Sequence, residues 1–312
     1  MNKYIKTIAI RRLSKCITRR YFERKKLMNK YIKTIALGMA LLCMGAGAAS
    51  AAQFSDAGSG KELNAAQLAK RLQKYDVVFF GEYHDQGEIH QAELELLQAL
   101  HKIKGEKLAL SMEMFEADNQ AKLDSFLAGS LSEEDFLATS RPWPNYKTDY
   151  APLVNFAKEN KLAVVAANVP RFLAAHVAKN NASTDGIEEQ YKKWLPEHTY
   201  APEGAYKEKF YAQMNSPEAP MKMSPARLAA VYAAQCLKDD KMAESIAAFS
   251  DAHEKMQVLH INGCFHSDAH LGTTQKLEAL RPRLKVAVIT PLERKQKGVQ
   301  PAGDFVVWFD RK

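Results

Sequence analysis

Cysteine is scarce in this 312-residue chain, and its four copies show neither metal-binding nor redox spacing. They are Cys16, Cys43, Cys236 and Cys264, so neither a C-x-x-C pair nor a zinc-finger pattern is present. The H-E-x-x-H segment that binds zinc in many proteases is also missing. These absences exclude a disulfide scaffold and a compact zinc-ligand cluster, while a single bridge between Cys236 and Cys264 stays open.

Acidic residues are nearly missing from the first 51 positions. That stretch holds 12 lysines and arginines and one acidic residue, Glu23. The whole chain has a net charge of +8, but the remaining residues, with 32 basic and 35 acidic side chains, have a net charge of −3. The basic character belongs to the N-terminal segment, so we expect no nucleic-acid partner for the folded part.

The N-terminal segment carries a short repeat. The nine residues MNKYIKTIA occur at 1–9 and again at 28–36, and only the second copy continues into an apolar stretch that ends with ASA at 49–51. A basic start, a short apolar middle and small residues at the end are typical of a signal peptide, which we place at 28–51. Residues 1–27 are then an upstream extension of doubtful relevance.

A long apolar run is lacking, which bears on how the chain relates to membranes. The apolar stretch before residue 49 is a poor membrane span because it is short and ends in glycine and alanine. Leu42 precedes Cys43, where a lipid-anchored protein would carry a small residue. We therefore expect an exported protein, periplasmic or envelope-associated after cleavage, without a lipid anchor.

Six apolar runs separated by helical patterns predict a single α/β domain over residues 52–312. Continuous apolar runs are typical of strands covered on both faces, so we expect a mostly parallel sheet flanked by helices. We expect the last run to close the sheet as an edge strand. The predicted strands are 76–80, 107–114, 162–169, 256–263, 284–290 and 304–310.

Residues 180–252 differ from the rest because they contain helical patterns and no good strand. Their apolar residues form single stripes, which indicates helices packed on another surface rather than a unit with its own core. We interpret this segment as a helical insertion that covers the carboxyl-end rim of the sheet.

Polar and aromatic side chains follow four of the predicted strands. In a parallel sheet, the loops after the strands meet at one edge, where ligands bind. We therefore expect these residues to share a site. They are Glu82, Tyr83 and His84 after the first strand, Glu113 and Phe115 at the second, Asn168 and Arg171 at the third, and Cys264, Phe265 and His266 after the fourth.

Two of these strand ends have the same form, G-x-x-H. They are GEYH at 81–84 and GCFH at 263–266. A glycine lets the chain turn sharply off a strand and lets a ligand approach the backbone closely. A histidine three residues later can bind a metal or transfer a proton. The shared site requires that the run 256–263 lie parallel to the run 76–80.

The two G-x-x-H segments resemble those of the Tiki superfamily, and the finer similarity is to its ChaN-like, haem-binding-uptake branch. Segments at 111–120, 145–171 and 233–249 also read like this branch, and the resemblance spans about residues 65–290. It implies a secreted or envelope protein associated with haem and iron uptake. The site residues it implies are Glu82, His84, Glu113, Asn168, Arg171 and His266.

Haem, as the implied cofactor, needs an axial ligand for iron, an apolar slot, and partners for its propionates. A tyrosine would suit ferric iron, and we expect it to come from the insertion or from the segment 145–150. The tyrosine candidates are Tyr83, Tyr146, Tyr150, Tyr206 and Tyr211. Met112, Met114, Phe115 and Phe265 could line the slot, with Arg171, His84 and His266 on the propionates. We expect Met112 and Met114 to be core residues first, and His90 to face solvent on a helix.

Three functions remain open at this point. The first, which we favour, is a haem-binding protein that is not an enzyme, with a homodimer and envelope haem-transport components as possible partners. The second is a hydrolase with a divalent metal on His84 and His266 and with Glu82 or Glu113 as general base. The third is a metal-free, esterase-like enzyme in which a carboxylate and a histidine activate water.

Overall fold

The apolar runs form the strands of one eight-stranded sheet in the computed structural model, which describes residues 53–219, 221–296 and 298–311. The predicted upstream extension and signal peptide lie outside the described residues. The strands are β1 (Gln53–Asp56), β2 (Glu62–Leu63), β3 (Val77–Glu82), β4 (Leu108–Glu116), β5 (Ala163–Asn168), β6 (Gln257–Gly263), β7 (Val286–Glu293) and β8 (Phe305–Phe309).

Helices follow most of these strands and cover the sheet. The α-helices are α1 (Ala65–Leu72), α2 (Gly87–Lys104), α3 (Gln120–Leu127), α4 (Glu133–Ser140), α5 (Ala151–Glu159), α6 (Arg171–Lys179), α7 (Glu189–Lys192), α8 (Ala205–Met214), α9 (Pro225–Ala252) and α10 (Thr273–Leu280). A π-helical turn spans Tyr146–Tyr150, and 3₁₀ turns span Gly105–Lys107, Ala117–Asn119, Cys264–His266 and Asp268–His270.

The sheet has the order β2-β1-β8-β7-β3-β6-β4-β5. Its pairings are parallel from β8 to β5, and the two pairings that β1 makes, with β2 and β8, are antiparallel. The predicted fold class, a mostly parallel sheet flanked by helices, is confirmed. The prediction that the last run forms an edge strand is wrong, because β1 pairs with the outer side of β8.

Alternate residues of the central strand β3 pack on opposite faces of the sheet, as the two-residue period of a strand requires. Val78 and Phe80 join the cluster that holds the apolar stripes of α2 and α5, whereas Val77 and Phe79 join a cluster with α9. Because both faces are covered, all six residues of β3 are buried. This explains why the strand reads as a continuous apolar run.

The parallel pairing of β3 with β6 places the two G-x-x-H segments at the same edge. Glu82, the last residue of β3, lies opposite Gly263, the last residue of β6. The segment 81–84, here called the first G-x-x-H turn, therefore leaves the sheet beside the segment 263–266, the second G-x-x-H turn. The condition that the shared site depends on is met.

The segment 180–252 is helical, with α7, α8 and α9 in sequence. The 28-residue helix α9 begins behind Ser224, whose hydroxyl accepts a hydrogen bond from the Arg227 amide at 3.3 Å. It contacts α6, α10 and β5 along one face of the sheet. Side chains from α8 and α9 reach the carboxyl-end rim, as predicted for the insertion.

Two further features of the sequence concern the cysteines and the membrane. Cys236 is buried in α9 and Cys264 follows β6, and both thiols are free. Of the helices in the described part of the chain, none combines the length and the apolar character that a membrane crossing requires.

Gly81 is the position where the fold tolerates no side chain. A Cβ atom there would lie 2.9 Å from the Cys264 Cβ and 3.1 Å from the Ile289 carbonyl oxygen. We expect Gly81→Ala to lower the free energy of unfolding by about 1–3 kcal/mol, the usual cost of overpacking. Gly87→Ala is the matched control, because a Cβ at Gly87 meets nothing within 4 Å. Equal urea midpoints for the two variants would contradict this packing.

Candidate functional site

A cavity of about 1020 Å³ lies at the carboxyl ends of β3, β4, β5 and β6. Of the ten strand-end residues predicted to share a site, nine line it: Glu82, Tyr83, His84, Glu113, Asn168, Arg171, Cys264, Phe265 and His266. Tyr150 and Tyr211 are not among its lining residues. Further lining residues come from the insertion and from the loop before the π-helical turn, and they are Trp143, Pro144, Lys209, Phe210, Gln213, Met214, Gln235 and Lys238.

The first G-x-x-H turn holds an imidazole against a buried carboxylate. His84 Nδ1 lies 2.5 Å from Glu82 Oε1, and the Tyr150 hydroxyl donates to the same oxygen at 2.7 Å. The ring of His84 packs edge-on against Trp143, and its side chain is 43% exposed. Because Nδ1 is engaged by Glu82, Nε2 is the ring nitrogen that remains for a ligand.

Behind Glu82 lies a buried group that the sequence did not predict. His90 is 5% exposed, with its Nδ1 3.1 Å from Glu93 Oε2 and 3.4 Å from Glu82 Oε2. The prediction that His90 faces solvent is wrong, because α2 turns this face toward the end of β3. Burial and the neighbouring Glu82 raise the pKa of Glu93 well above its usual value. A protonated Glu93 beside an ionised Glu82 explains how two carboxyl groups share one buried space.

The second G-x-x-H turn holds its histidine between two carboxylates. His266 Nδ1 lies 2.6 Å from Asp239 Oδ1 on α9, and Nε2 lies 3.4 Å from Glu113 Oε1 at the end of β4. Burial opposes a charged imidazole, but Glu113 and Asp239 raise the pKa of His266 to about 10. Asp239 also accepts hydrogen bonds from Tyr206 and Thr273. His266 is therefore an imidazolium at neutral pH.

Glu113 joins the two turns. Its Oε2 accepts a hydrogen bond from the Gly263 amide at 2.7 Å. Burial alone would raise the pKa of Glu113, but the nearby His266 and His84 hold it well below its usual range. A Cβ at Gly263 would lie 2.9 Å from His84 Nε2. A side chain at Gly263 would therefore displace His84, which lies over this glycine.

Two polar side chains, Asn168 and Arg171, lie at the carboxyl end of β5. Asn168 donates to the Glu113 carbonyl at 3.1 Å, while its buried Oδ1 has no hydrogen-bond partner. The guanidinium of Arg171 donates to Glu116, and Glu116 also accepts from Arg141 at 2.7 Å. Arg171 lines the cavity, but its charge is already matched by a carboxylate.

The chain matches a family model described as haem-binding uptake, Tiki superfamily, ChaN, over residues 68–277. The protein belongs to this family. A solved structure of ChaN of Campylobacter jejuni with cofacially bound haem has a TM-score of 0.64 and 18% identity, and the match covers 83% of this chain and 97% of that one. At this identity the likeness shows the fold.

A second solved structure, an erythromycin esterase in its open conformation, has a TM-score of 0.45 and 14% identity over 77% of each chain. At that TM-score we draw nothing from it. A comparison with curated proteins returned no match.

The tyrosines of this ChaN-family chain lie elsewhere than the sequence suggested. Tyr150 is fully buried, and its hydroxyl donates a hydrogen bond to Glu82. Tyr211 packs on Phe210 and Tyr232. Both were candidate cofactor-binding residues, and neither lines the cavity. Tyr146 and Tyr206 are buried as well. Tyr83 does line the cavity, but burial raises the pKa of its hydroxyl to about 12, which disfavours a tyrosinate.

The apolar residues that line the cavity also differ from those predicted from the sequence. Met112, Met114 and Phe115 are buried in the core and do not line the cavity. For the two methionines this agrees with the prediction that they are core residues first. Phe265 lines it as predicted, together with Trp143, Phe210 and Met214. The signal for Phe210, Gln213 and Met214 was their i, i+3, i+4 spacing, which puts them on one face of α8.

A divalent metal on His84 and His266 does not fit this geometry. An imidazolium has no free lone pair, and His266 has both ring nitrogens directed at carboxylates. Among the described residues, the group that brings three possible ligand atoms within 4.8 Å is Glu82, His90 and Glu93, of which Glu82 alone lines the cavity. The metal-dependent alternative is therefore not supported by the rim residues.

The hydroxyl of Tyr150 is predicted to stabilise the site. Tyr150→Phe removes a hydrogen bond to the buried Glu82 carboxylate, so we expect the free energy of unfolding to fall by about 1.5–3 kcal/mol. Tyr146→Phe is the matched control, since the Tyr146 hydroxyl is buried without a hydrogen-bond partner and its removal should leave stability unchanged or slightly higher. Urea unfolding measures both, and a larger loss in the Tyr146 variant would contradict the assignment.

His266 is predicted to make stability fall in alkaline solution. Its folded pKa of about 10 exceeds the unfolded value of about 6.5, so its contribution is complete below pH 6.5 and is lost as the pH rises through 10. Burial lowers the pKa of His260 to about 3. We expect ¹⁵N NMR at pH 8 to show an imidazolium at His266 and a neutral ring at His260. A neutral ring at both positions would contradict the pairing.

Proposed function

We propose that the protein binds haem in the cavity at the carboxyl ends of the sheet. The observation that carries the proposal is one cavity that combines an apolar wall with an imidazole whose outer nitrogen is free. Its volume of about 1020 Å³ is at the upper end of the range for small-molecule and cofactor sites. Membership of the haem-binding uptake family supports the same assignment.

His84 is the residue that best fits the haem iron. Histidines that bind metals usually donate their other ring nitrogen to a carboxylate, and His84 Nδ1 lies 2.5 Å from buried Glu82. The other groups of ligating type are less suited. Burial raises the pKa values of Tyr83 and Cys264, which disfavours their anions. The pKa values of both histidines are raised by carboxylates, but His266 has a carboxylate at each ring nitrogen, whereas His84 has one at Nδ1 only. When bound, haem would supply a metal centre, while this chain holds and orients it.

The apolar wall supplies what the porphyrin faces need. Trp143 stands against the ring of His84 at a centroid distance of 4.8 Å. Phe210 and Phe265 contact each other on the insertion side, with ring centroids 6.0 Å apart. The space between these aromatic groups is where a flat apolar ring would lie, with its iron toward His84.

We further propose that a second copy of the chain covers the bound haem. Tyr83 lines the cavity and is 36% exposed, and a partner copy would bury this apolar surface. The haem of the Campylobacter jejuni ChaN is cofacial, which supports such an arrangement. Sedimentation velocity with and without haem tests it, and a monomer under both conditions would contradict it.

The place of action that we propose is the periplasm or the envelope, in haem or iron uptake with envelope haem-transport components as donor and receiver. The support is the N-terminal pattern at 28–51 together with the uptake family. N-terminal sequencing of the exported protein tests it, and a mature chain that begins elsewhere than after Ala51 would contradict the cleavage site.

One observation favours a second candidate, the metal-free hydrolase. A histidine with one nitrogen on a buried carboxylate and the other directed at a cavity is also the arrangement of a general base. His84 could therefore take a proton from water, with Glu82 fixing the ring. Turnover of an ester panel by the haem-free chain, abolished in His84→Ala, would favour this candidate over haem binding.

A haem titration followed by the Soret band tests the main proposal. We expect a saturable shift, and we expect His84→Ala to weaken binding by more than the roughly 10–100-fold that losing a ligand's hydrogen-bond partner costs. His198→Ala is the matched control, because His198 is an exposed histidine outside the cavity.

Tyr83→Phe separates the two possible iron ligands. We expect this variant to keep most of the affinity and the same absorbance spectrum. A lost Soret shift in Tyr83→Phe, with binding unchanged in His84→Ala, would assign the iron to the tyrosine instead. Absence of a saturable shift in the unchanged chain would contradict the proposed function.

A further inference from the structure

One cation in the cavity has no partner. Lys238 lies on α9, is half-buried and lines the cavity, and it makes neither a hydrogen bond nor an ion pair with any described residue. An ammonium group at a cavity wall that pairs directly with no carboxylate is available to an anionic ligand. Its charge does act within the cavity, where it helps to lower the pKa of Glu113.

The cavity's carboxylates do not explain this lysine, since each has other partners. Glu82 is bonded by His84 and Tyr150, and Glu113 by the Gly263 amide with His266 nearby. Glu116 is matched by two arginines, Asp268 accepts from Thr290 at 2.7 Å, and Asp85 accepts from the Gln86 side chain at 3.0 Å. These carboxylates thus have partners within the protein, while the ammonium group of Lys238 is available to a ligand in the cavity.

A second lysine lines the same cavity. Lys209, on α8, lies over the Phe265 ring at 4.4 Å, and its ammonium group donates to the Phe265 carbonyl at 3.4 Å and lies 3.8 Å from the Asp268 carboxylate. Both lysines come from the helical insertion and line the cavity, as do Phe210 and Phe265. A ligand held in the cavity would meet two ammonium groups of the insertion.

We propose that Lys238, together with Lys209 of the same insertion, binds the carboxylate groups of the ligand and so fixes the ligand's orientation in the cavity. The inference rests on the proposed function, in which the ligand is haem and the carboxylates are its propionates. It places the carboxylate edge at the insertion and the iron toward the first G-x-x-H turn. Arg171, already matched by Glu116, is assigned no part in it.

The test compares two forms of the ligand on the full chain. Haem and haem dimethyl ester have the same ring and iron, but the ester carries no carboxylate. We expect Lys238→Ala to weaken haem binding about tenfold, the size of a charge-assisted hydrogen bond at a half-exposed site, and to leave ester binding unchanged. Lys238→Arg should restore most of the haem affinity because it keeps the charge.

Lys241→Ala is the matched control, since Lys241 lies on the same helix and lines a different hollow. Equal loss for haem and ester in Lys238→Ala would overturn the proposal, because the change would then act on packing. Unchanged haem binding in Lys238→Ala and in the Lys209 and Lys238 double alanine variant would also overturn it, while leaving the haem site itself intact. If the unchanged chain bound neither ligand, the proposed function would fail and this inference with it.

Discussion

The charges of two buried carboxylates, Glu82 and Glu113, determine how the rim is built. They lie near the carboxyl ends of β3 and β4, the two parallel strands that flank β6, and both side chains are nearly inaccessible to water. A buried carboxylate needs a cation or several donors. Each receives a histidine from a G-x-x-H turn, and the two pairs stand side by side because Glu82 lies level with Gly263.

The two pairs are alike in sequence and different in state. His266 is enclosed by Glu113 and Asp239, so it is a fixed charge that ties the insertion helix α9 to the end of the sheet. His84 meets one carboxylate and is partly exposed, so its outer nitrogen can meet a ligand. One histidine is therefore held by carboxylates at both ring nitrogens, whereas the other lines the cavity with a carboxylate at Nδ1 only. This difference disfavours a symmetric two-histidine metal site.

Much of the fold could be predicted from the sequence, because covered parallel strands leave continuous apolar runs. The six predicted strands and the helical insertion correspond to elements of the structure. The strands β1 and β2 were missed, since Gln53–Asp56 and Glu62–Leu63 are short and partly polar. With β1 unseen, β8 was mistaken for the edge of the sheet.

The site was predictable where it depends on strand ends and unpredictable where it depends on helix orientation. Residues directly after a strand reach the rim whatever the packing, which is why Glu82, His84 and Glu113 were found. The faces of α2, α8 and α9 are set by tertiary contacts. The burial of His90 and the exposure of Lys238 to the cavity could therefore not be read from spacing alone. Tyr150 lies in a π-helical turn, whose wider spacing directs the hydroxyl at Glu82 rather than at the cavity.

The most direct test of the account is a crystal structure of the full chain with haem bound. The account predicts haem between Trp143 and the insertion's aromatic side chains, its iron at bonding distance from His84 Nε2 and its carboxylates toward Lys238. It also predicts that His266 keeps both carboxylate partners. Iron bound by a tyrosine of the insertion, or haem outside this cavity, would contradict it.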